Sequence, residues 1–591
     1  MKVEGIFTID KPLGISSQRA VQIVKYWARR KTGNNKIKVG HAGTLDPLAS
    51  GVLVMAVGRK YTSQIDKIVS SEKEYIADVT LGQNSSTDDA EGEKTVVNKD
   101  KKPTVQEIKN VLKEFVGNIE QTPPTYSAIK IDGQEAYKRV RRGEKVEMKK
   151  RKVHIKNIEI ISYEYPNLKI SVTCGKGTYI RSLARDVGEN IKTGAYLSGL
   201  VRTRVGEYKL EDAKNIKDFT MRIVVHACEL DEERIDGTRI YISEMLKYFG
   251  GMASDDDFYI YHKNIFNKSL APQKRNNYHI KFLNNFPAWT QTKFAVSVLR
   301  QKPDVVWVPL HNLPRLRSKK IKYVVTIHDL AFKIFPETFP ESDVKKLNLQ
   351  TDYAVKNADH IIAVSKSTRN DLLKFYPELK REKITVIHHG IDKEVWQKEY
   401  SLDLVQKILG KYKLTKNKYL IHVGAIQPRK NLTVLIDAFE KVKKVQKDMK
   451  LLLVGGDGWK WENIHEHAKK SKYVKDVIFT GNISKECVVV LMQNASAFVF
   501  PSLYEGFGIS GLEALATGTP VVAARNSSIP EVLGNVAEYF DAKNSDECAE
   551  SVLRVLSDTE LQGKLKEEGF RRVEKFTWNK TARKTLQVLR K

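Results

Sequence analysis

From residue 221 almost to the end of the chain, short unbroken runs of valine, isoleucine and leucine keep returning, separated by helix-length stretches. One series reads MRIVVHA, DVVWVPL, KYVVTIHD, HIIAVS and KITVIHHG. A second reads YLIHVGA, KLLLVGG, DVIFTGN, AFVFPS and PVVAA. A strand that is apolar on both faces must be covered on both. Alternation of such strands with helices builds parallel sheets with helices on each side. Two series predict two doubly wound domains, joined by a polar helical connection near 395–417.

Residues 1–220 follow another grammar. YIADVTLG (75–82) alternates like a half-buried strand, and VHIKNIEIISYEY and LKISVTCG read as successive strands. RVRRGEKVEMKKRK (139–152) is strongly basic with little apolar periodicity, which predicts an exposed loop. The polar run ends at Thr220. Met221, a basic residue and Ile223-Val224-Val225 then look like the opening of a new α/β domain. A chain of 591 residues has room for about three or four domains.

Bulk composition excludes several classes. With 41% hydrophobic and 9% aromatic residues, wholesale disorder is excluded. The formal charge of +29 favours a polyanionic partner, with a solvated lysine-rich surface as the alternative. Cys174, Cys228, Cys487 and Cys548 form no C-x-x-C pair and join no Cys/His cluster. That argues against a disulfide framework or structural zinc and for a reducing compartment. Glu4 and Asp10 interrupt the N-terminus, so no secretory signal is expected. No stretch reaches the ~18–20 apolar residues of a membrane span. The expectation is a soluble, cytoplasmic protein.

The first chemical constellation is VGHAGTLDPLASGVLVMAVG (39–58), in which Asp46 sits in a Gly/Pro-punctuated turn. An aspartate before proline is by itself an ordinary turn residue. Five more stretches change its meaning: GIFTIDKPLGISS (5–17), KEYIADVTLGQNSSTDDAEGE (73–93), PPTYSAIKIDGQEAYKRVRRGE (123–144), GTYIRSLARDVGE (177–189) and GAYLSGLVRTRVGEYKLEDA (194–213). In this order the motifs resemble the tRNA pseudouridine(55) synthase family, TruB, over almost all of residues 1–219. Ser16, Ala42 and Val140 depart mildly from the family's usual residues.

The resemblance implies an α+β pseudouridine synthase core over residues 1–220, with the T arm of tRNA as partner. Isomerising uridine breaks a glycosidic C–N bond and makes a C–C bond, and a carboxylate can serve as nucleophile or proton acceptor at the sugar. By resemblance that carboxylate is Asp46, with Arg181 pairing it and keeping it ionised. Tyr75 would stack on the extruded base, and His41 would press on the vacated stack. Lys11 would support the floor of the site, with Leu200 beside it. Lys130, Arg139, Arg141 and Arg142 of the thumb suit phosphate contacts. The family's usual small C-terminal RNA-binding module is expected to be missing, because Met221 follows directly.

The second constellation lies in HVGAIQPRKNLTVLIDAFEKV (422–442), LLLVGGDGW (451–459) and VFPSLYEGFGISGLEALATGTPVVAARNSSIPEVLG (499–534). Residues 221–591 resemble glycosyltransferase family 4, which has the GT-B fold of two Rossmann-like domains facing a cleft. The expected boundaries are 221–405 for the acceptor-side domain and 406–591 for the nucleotide-sugar domain. Gly506, Phe507 and Gly508 precede a helix, and a helix N-terminus with bare N–H groups attracts phosphate. Arg429 and Lys430 would neutralise the departing diphosphate. Glu513 would accept from ribose hydroxyls, and Glu505 would support the donor sugar. Gly237, in the Asp-Gly-Thr loop after the first strand, would belong to the donor site. His328 at a strand's C-terminal end would face the cleft. The resemblance implies retaining transfer of a hexose from a nucleotide-sugar, with no metal and no cofactor; donor and acceptor identities stay open. The triplet DDD at 255–257 reads as solvated loop, and PRLRSKKIK (314–322) as a basic face that could sit weakly on anionic lipid.

Overall fold

The computed structural model describes residues 3–97, 101–127, 129–131, 134–142, 144, 146–233 and 235–591. It divides into two compact units, Met1–Thr220 and Met221–Lys591. Among the described residues, no helix is long and apolar enough to cross a membrane.

The first unit is built on a mixed ten-stranded sheet. Its central strands are Gly5–Lys11, Ala49–Val57, Ala195–Val205, Lys73–Leu81, Asn167–Cys174 and Arg151–Glu164, in that spatial order. The alternation read in YIADVTLG is realised residue by residue: positions 73, 75, 77, 79 and 81 are buried and those between them half-buried. Helix Val105–Glu114 starts with a reciprocal cap, Thr104 accepting from the Glu107 N–H while Glu107 accepts from the Thr104 N–H. Helix Ile180–Ile191 packs on strand Ala195–Val205 and buries Arg181 along with its apolar face. The end of the unit closes its own core. Lys214–Asn215 pairs in parallel with Gly5–Lys11, and Phe219 stacks on Phe7 at 5.5 Å and meets Trp27 edge-on at 5.0 Å.

In the second unit both predicted parallel sheets are present. The first holds seven strands between Arg222 and Val386, the second six between Tyr419 and Phe540. The apolar runs are the strands, and Val305–Val308 is buried at every position. Each fully buried Val, Leu or Ile contributes about 1.5–3 kcal/mol relative to an exposed one.

Two expectations need correction. Residues 406–591 do not form one body of their own. The last helix, Trp578–Arg590, returns to the first half and packs on helix Gly237–Met252. Its Trp578, Ala582, Leu586 and Leu589 share a core with Tyr241, Met245 and Phe249, because that one apolar stripe needs a face to bury. The DDD triplet is not solvated either. Asp256 is buried, pairs with Arg590 at 2.7 Å and accepts from the Met221 N–H at 3.1 Å.

Candidate active sites

In the first unit, Asp46 lies in the turn between strands Val39–Ala42 and Ala49–Val57. Ser17 Oγ holds the turn from one side, donating to Leu45 O and accepting from Leu45 N, both at 2.8 Å. Arg202 holds it from the other. Its buried guanidinium donates to Gly43 O (2.9 Å), Thr44 O (3.3 Å) and Val52 O (2.8 Å). The backbone around Asp46 is thus fixed while its side chain remains 48% exposed.

Arg181 binds two acids at once. One nitrogen lies 2.9 Å from Asp46 and another 3.2 Å from Asp89, and Tyr126 O accepts at 3.0 Å. Asp89 is as buried as the arginine, at 8% and 9% exposure. The inner carboxylate makes the buried cation tolerable, and the outer one faces a small pocket whose wall includes Leu48, Leu197 and Leu200.

Tyr75, His41 and Lys11 are not among the residues lining this pocket. Tyr75 points inward from its strand, and burial raises its phenol pKa. His41 is half-buried; burial, then Arg202, lowers its pKa, which keeps the ring neutral. Lys11 is fully buried, donates to Pro12 O and Ile15 O, and is brought down to about 8 by burial against the pull of Asp46. In the thumb, Arg139 and Arg142 both pair with Glu144, at 2.7 and 3.1 Å. The side chains of Lys130 and Arg141 lie outside the described residues.

In the second unit the expected residues converge from both halves. Glu505 is buried, with Lys430 at 2.6 Å and Arg429 at 3.2 Å. Burial alone would raise its pKa, but the two cations outweigh burial and hold it at about 2. Ser527 Oγ accepts from Glu505 N and Ser528 Oγ donates to Glu505 O, so its backbone is clamped as well. Gly506 admits no side chain, since a Cβ there would stand 1.9 Å from His328 O of the first half. Gly508 adopts a left-handed φ of 84° at the start of helix Ile509–Thr517. Glu513, one turn into that helix, is raised to about 7 by burial, with only Lys485 opposing.

His328 donates from Nε2 to Pro309 O at 2.9 Å, and burial lowers its pKa. Its ring lies over His389 at 5.5 Å, and Phe507 meets His389 edge-on at 5.0 Å. Gly237 begins the helix capped by Asp236, and a Cβ on it would reach within 4.0 Å of Ile509 across the cleft.

Four residues escaped the sequence reading: Asp89, Arg202, His389 and Glu531. Asp89 stood inside a quoted motif as one acid of a run. Arg202 stood two residues after Leu200. Nothing in local spacing marks which acid or arginine turns inward.

A buried guanidinium between two carboxylates at a pocket, and the meeting of two parallel-sheet halves at a glycine loop that starts a helix, make two candidate sites of different class in one chain. Residues 29–180 match the TruB family pseudouridylate synthase N-terminal domain. Residues 261–395 match Glycosyltransferase Family 4, and 406–572 match glycosyl transferases group 1. The tRNA pseudouridine synthase B of Phocaeicola vulgatus is 45% identical over 214 residues, 36% of this chain and 91% of that protein. That of Rhodopirellula baltica is 42% identical over 208 residues, 35% of this chain and 60% of that protein. The relatives thus differ in length, and the first unit matches the shorter ones nearly end to end. For the second unit, the crystal structure of Anabaena HepE in complex with UDP and glucose aligns with a TM-score of 0.50 at 17% identity, over 63% of this chain and 99% of that one. The chain belongs to the TruB family through its first unit, and its second unit carries a pair of glycosyltransferase domains with the GT-B fold.

Proposed function

We propose that the protein is a two-reaction enzyme. Its first unit isomerises uridine to pseudouridine in the T loop of tRNA, and its second moves a hexose, with retention, from a nucleotide-sugar to an acceptor. The observation that carries the first reading is the Asp46–Arg181–Asp89 arrangement. It supplies an accessible carboxylate, paired with a guanidinium, beside a pocket, which is what attack at an anomeric carbon requires. On the family resemblance alone, Tyr75 and His41, which do not line the pocket, are assigned to base stacking and extrusion, and Arg139 and Arg142 to phosphates.

The second reading is carried by Glu505 with Lys430 and Arg429 at the mouth of helix Ile509–Thr517, a place suited to a diphosphate and its sugar. Glu513 takes the ribose and His328 the sugar side. Neither reaction calls for a metal or cofactor, so EDTA should change neither rate by more than about twofold, against a loss of about 10²-fold or more where a metal is the Lewis acid. Exposed Arg315, Lys319 and Lys320 on the acceptor-side half suit an anionic acceptor or an anionic lipid face. Four free cysteines suit the cytoplasm.

The alternative is that only the second unit is active and the first is a truncated, tRNA-binding or inactive remnant; the Asp46–Arg181–Asp89 arrangement beside a pocket disfavours it. Tritium release from tRNA labelled at uridine C5 decides between them. The full chain should release tritium, and a chain that binds tRNA without release would support the alternative. For the second unit, nucleoside diphosphate release should be screened over UDP-glucose and GDP-mannose. Failure of Glu513→Ala to impair turnover would remove the donor-site assignment.

A further inference from the structure

We infer that Glu531 is a positioning residue for sugar transfer, latching the two halves of the second unit together across the cleft; this rests on reading that cleft as the transfer site. Glu531 lies in helix Ile529–Leu533 of the second half. Its carboxylate reaches the start of helix Lys366–Phe375 in the first half. The Lys366 N–H donates to both Glu531 oxygens at 2.9 Å, the Ser367 N–H donates to one at 3.2 Å, and His388 Nε2 lies 2.6 Å from the other. The first N–H groups of a helix have no partner within it and favour a carboxylate. The helix's own cap, Ser365, already accepts from the Thr368 N–H at 2.9 Å. Glu531 supplies the rest from the other side of the cleft.

The gripped turn is where the two halves of the candidate site meet. Thr368 is fully buried, and its hydroxyl lies 3.3 Å from Gly506 O and 3.4 Å from His328 O. One proton is thus shared between the loop behind Glu505 and the strand end that carries His328. Tyr504 reinforces the seam by donating to Asp371 Oδ2 at 2.6 Å, one turn along the same helix. On its own side, Glu531 follows Ser527 and Ser528, which clamp the Glu505 backbone. The crossings between halves are tied here too. Thr581 Oγ1 donates to His388 O at 2.8 Å, and the Ile391 N–H to Phe576 O at 3.3 Å. Removing Glu531 therefore loosens the spacing between His328 and Glu505 without touching either. Burial alone would raise its carboxyl pKa; the bonds from His388, Lys366 and Ser367 outweigh burial and hold it below the ordinary range, so it is ionised at neutral pH.

The test uses the full chain with Glu531→Ala and the milder Glu531→Gln. Hydrogen–deuterium exchange is read by mass spectrometry on peptides spanning 365–371 and 504–508. Both should exchange at least about tenfold faster in Glu531→Ala, with Glu531→Gln between it and the parent, because an amide oxygen still accepts but carries no charge. With UDP-glucose, and GDP-mannose in a parallel arm, kcat should fall at least about tenfold while the donor KM stays within about twofold, since the proposed diphosphate and ribose contacts, Arg429, Lys430 and Glu513, come from the second half. A structural role alone would lower the melting temperature and leave this kcat-against-KM split unseen. Unchanged exchange at 504–508 in both variants overturns the latch. If the parent turns over neither donor, the transfer reading fails, and the exchange arm still decides the latch.

Discussion

The two candidate sites use the same ionic parts in opposite proportion. In the first unit one arginine serves two acids: Asp89 is buried with it, and Asp46 stays open to the pocket. In the second, one acid serves two cations, and Glu505 is buried between Lys430 and Arg429. An acid that shares its cation with a deeper acid remains accessible and can act on a substrate. An acid enclosed by two cations is ionised but shielded, and is fitted to hold charge and orientation. Burial and stoichiometry, more than residue type, separate an accessible acid from an enclosed one.

Substitutions at these acids probe that contrast. The largest effect is expected from Asp46→Ala, which removes the only group assigned to attack: tritium release should fall by about 10⁴-fold or more, with tRNA binding kept. Pseudouridine formation by that variant would break the contrast at its root. Glu505→Gln should act first on stability, because it leaves two buried cations without their acid. A loss of about 3–5 kcal/mol in the second unit's unfolding is expected, with the first unit's transition unmoved. Asp89→Asn should be intermediate, lowering isomerisation about 10²-fold as Arg181, without its inner acid, is drawn onto Asp46 and makes it less available, with fold and tRNA affinity retained. A rate within twofold of the parent would show that the inner acid is structural only.

The smallest effect concerns Glu513, whose folded-state pKa of about 7 exceeds its ordinary 4.5. Between those values the folded state keeps a proton that the unfolded state has released, so the stability this group supports falls as pH rises through that window. Glu513→Gln should therefore raise the melting temperature by a few degrees above pH 7 and leave it unchanged near pH 4. A gain that is the same at both pH values would place the carboxyl in water.

The legible parts of this protein are those written locally. Continuous apolar runs gave the parallel strands, alternation gave Lys73–Leu81, and the change of grammar at Met221 coincides with the division into units. Motif order led to Asp46, Arg181, Glu505 and Glu513. The last helix was misplaced because its apolar stripe says that it must be buried, and nothing in the stripe says against which half.

What the sequence by itself determined is most of the parallel strands, the two families and the candidate site residues, because periodicity and motif spacing act over a few residues. Only the tertiary structure decided which acid turns inward beside Arg181, that Arg202 pins the Asp46 turn, and that Glu531 reaches the helix at Lys366. Those contacts join residues far apart along the chain, and their energies depend on burial and distance, which exist only once the chain has closed on itself.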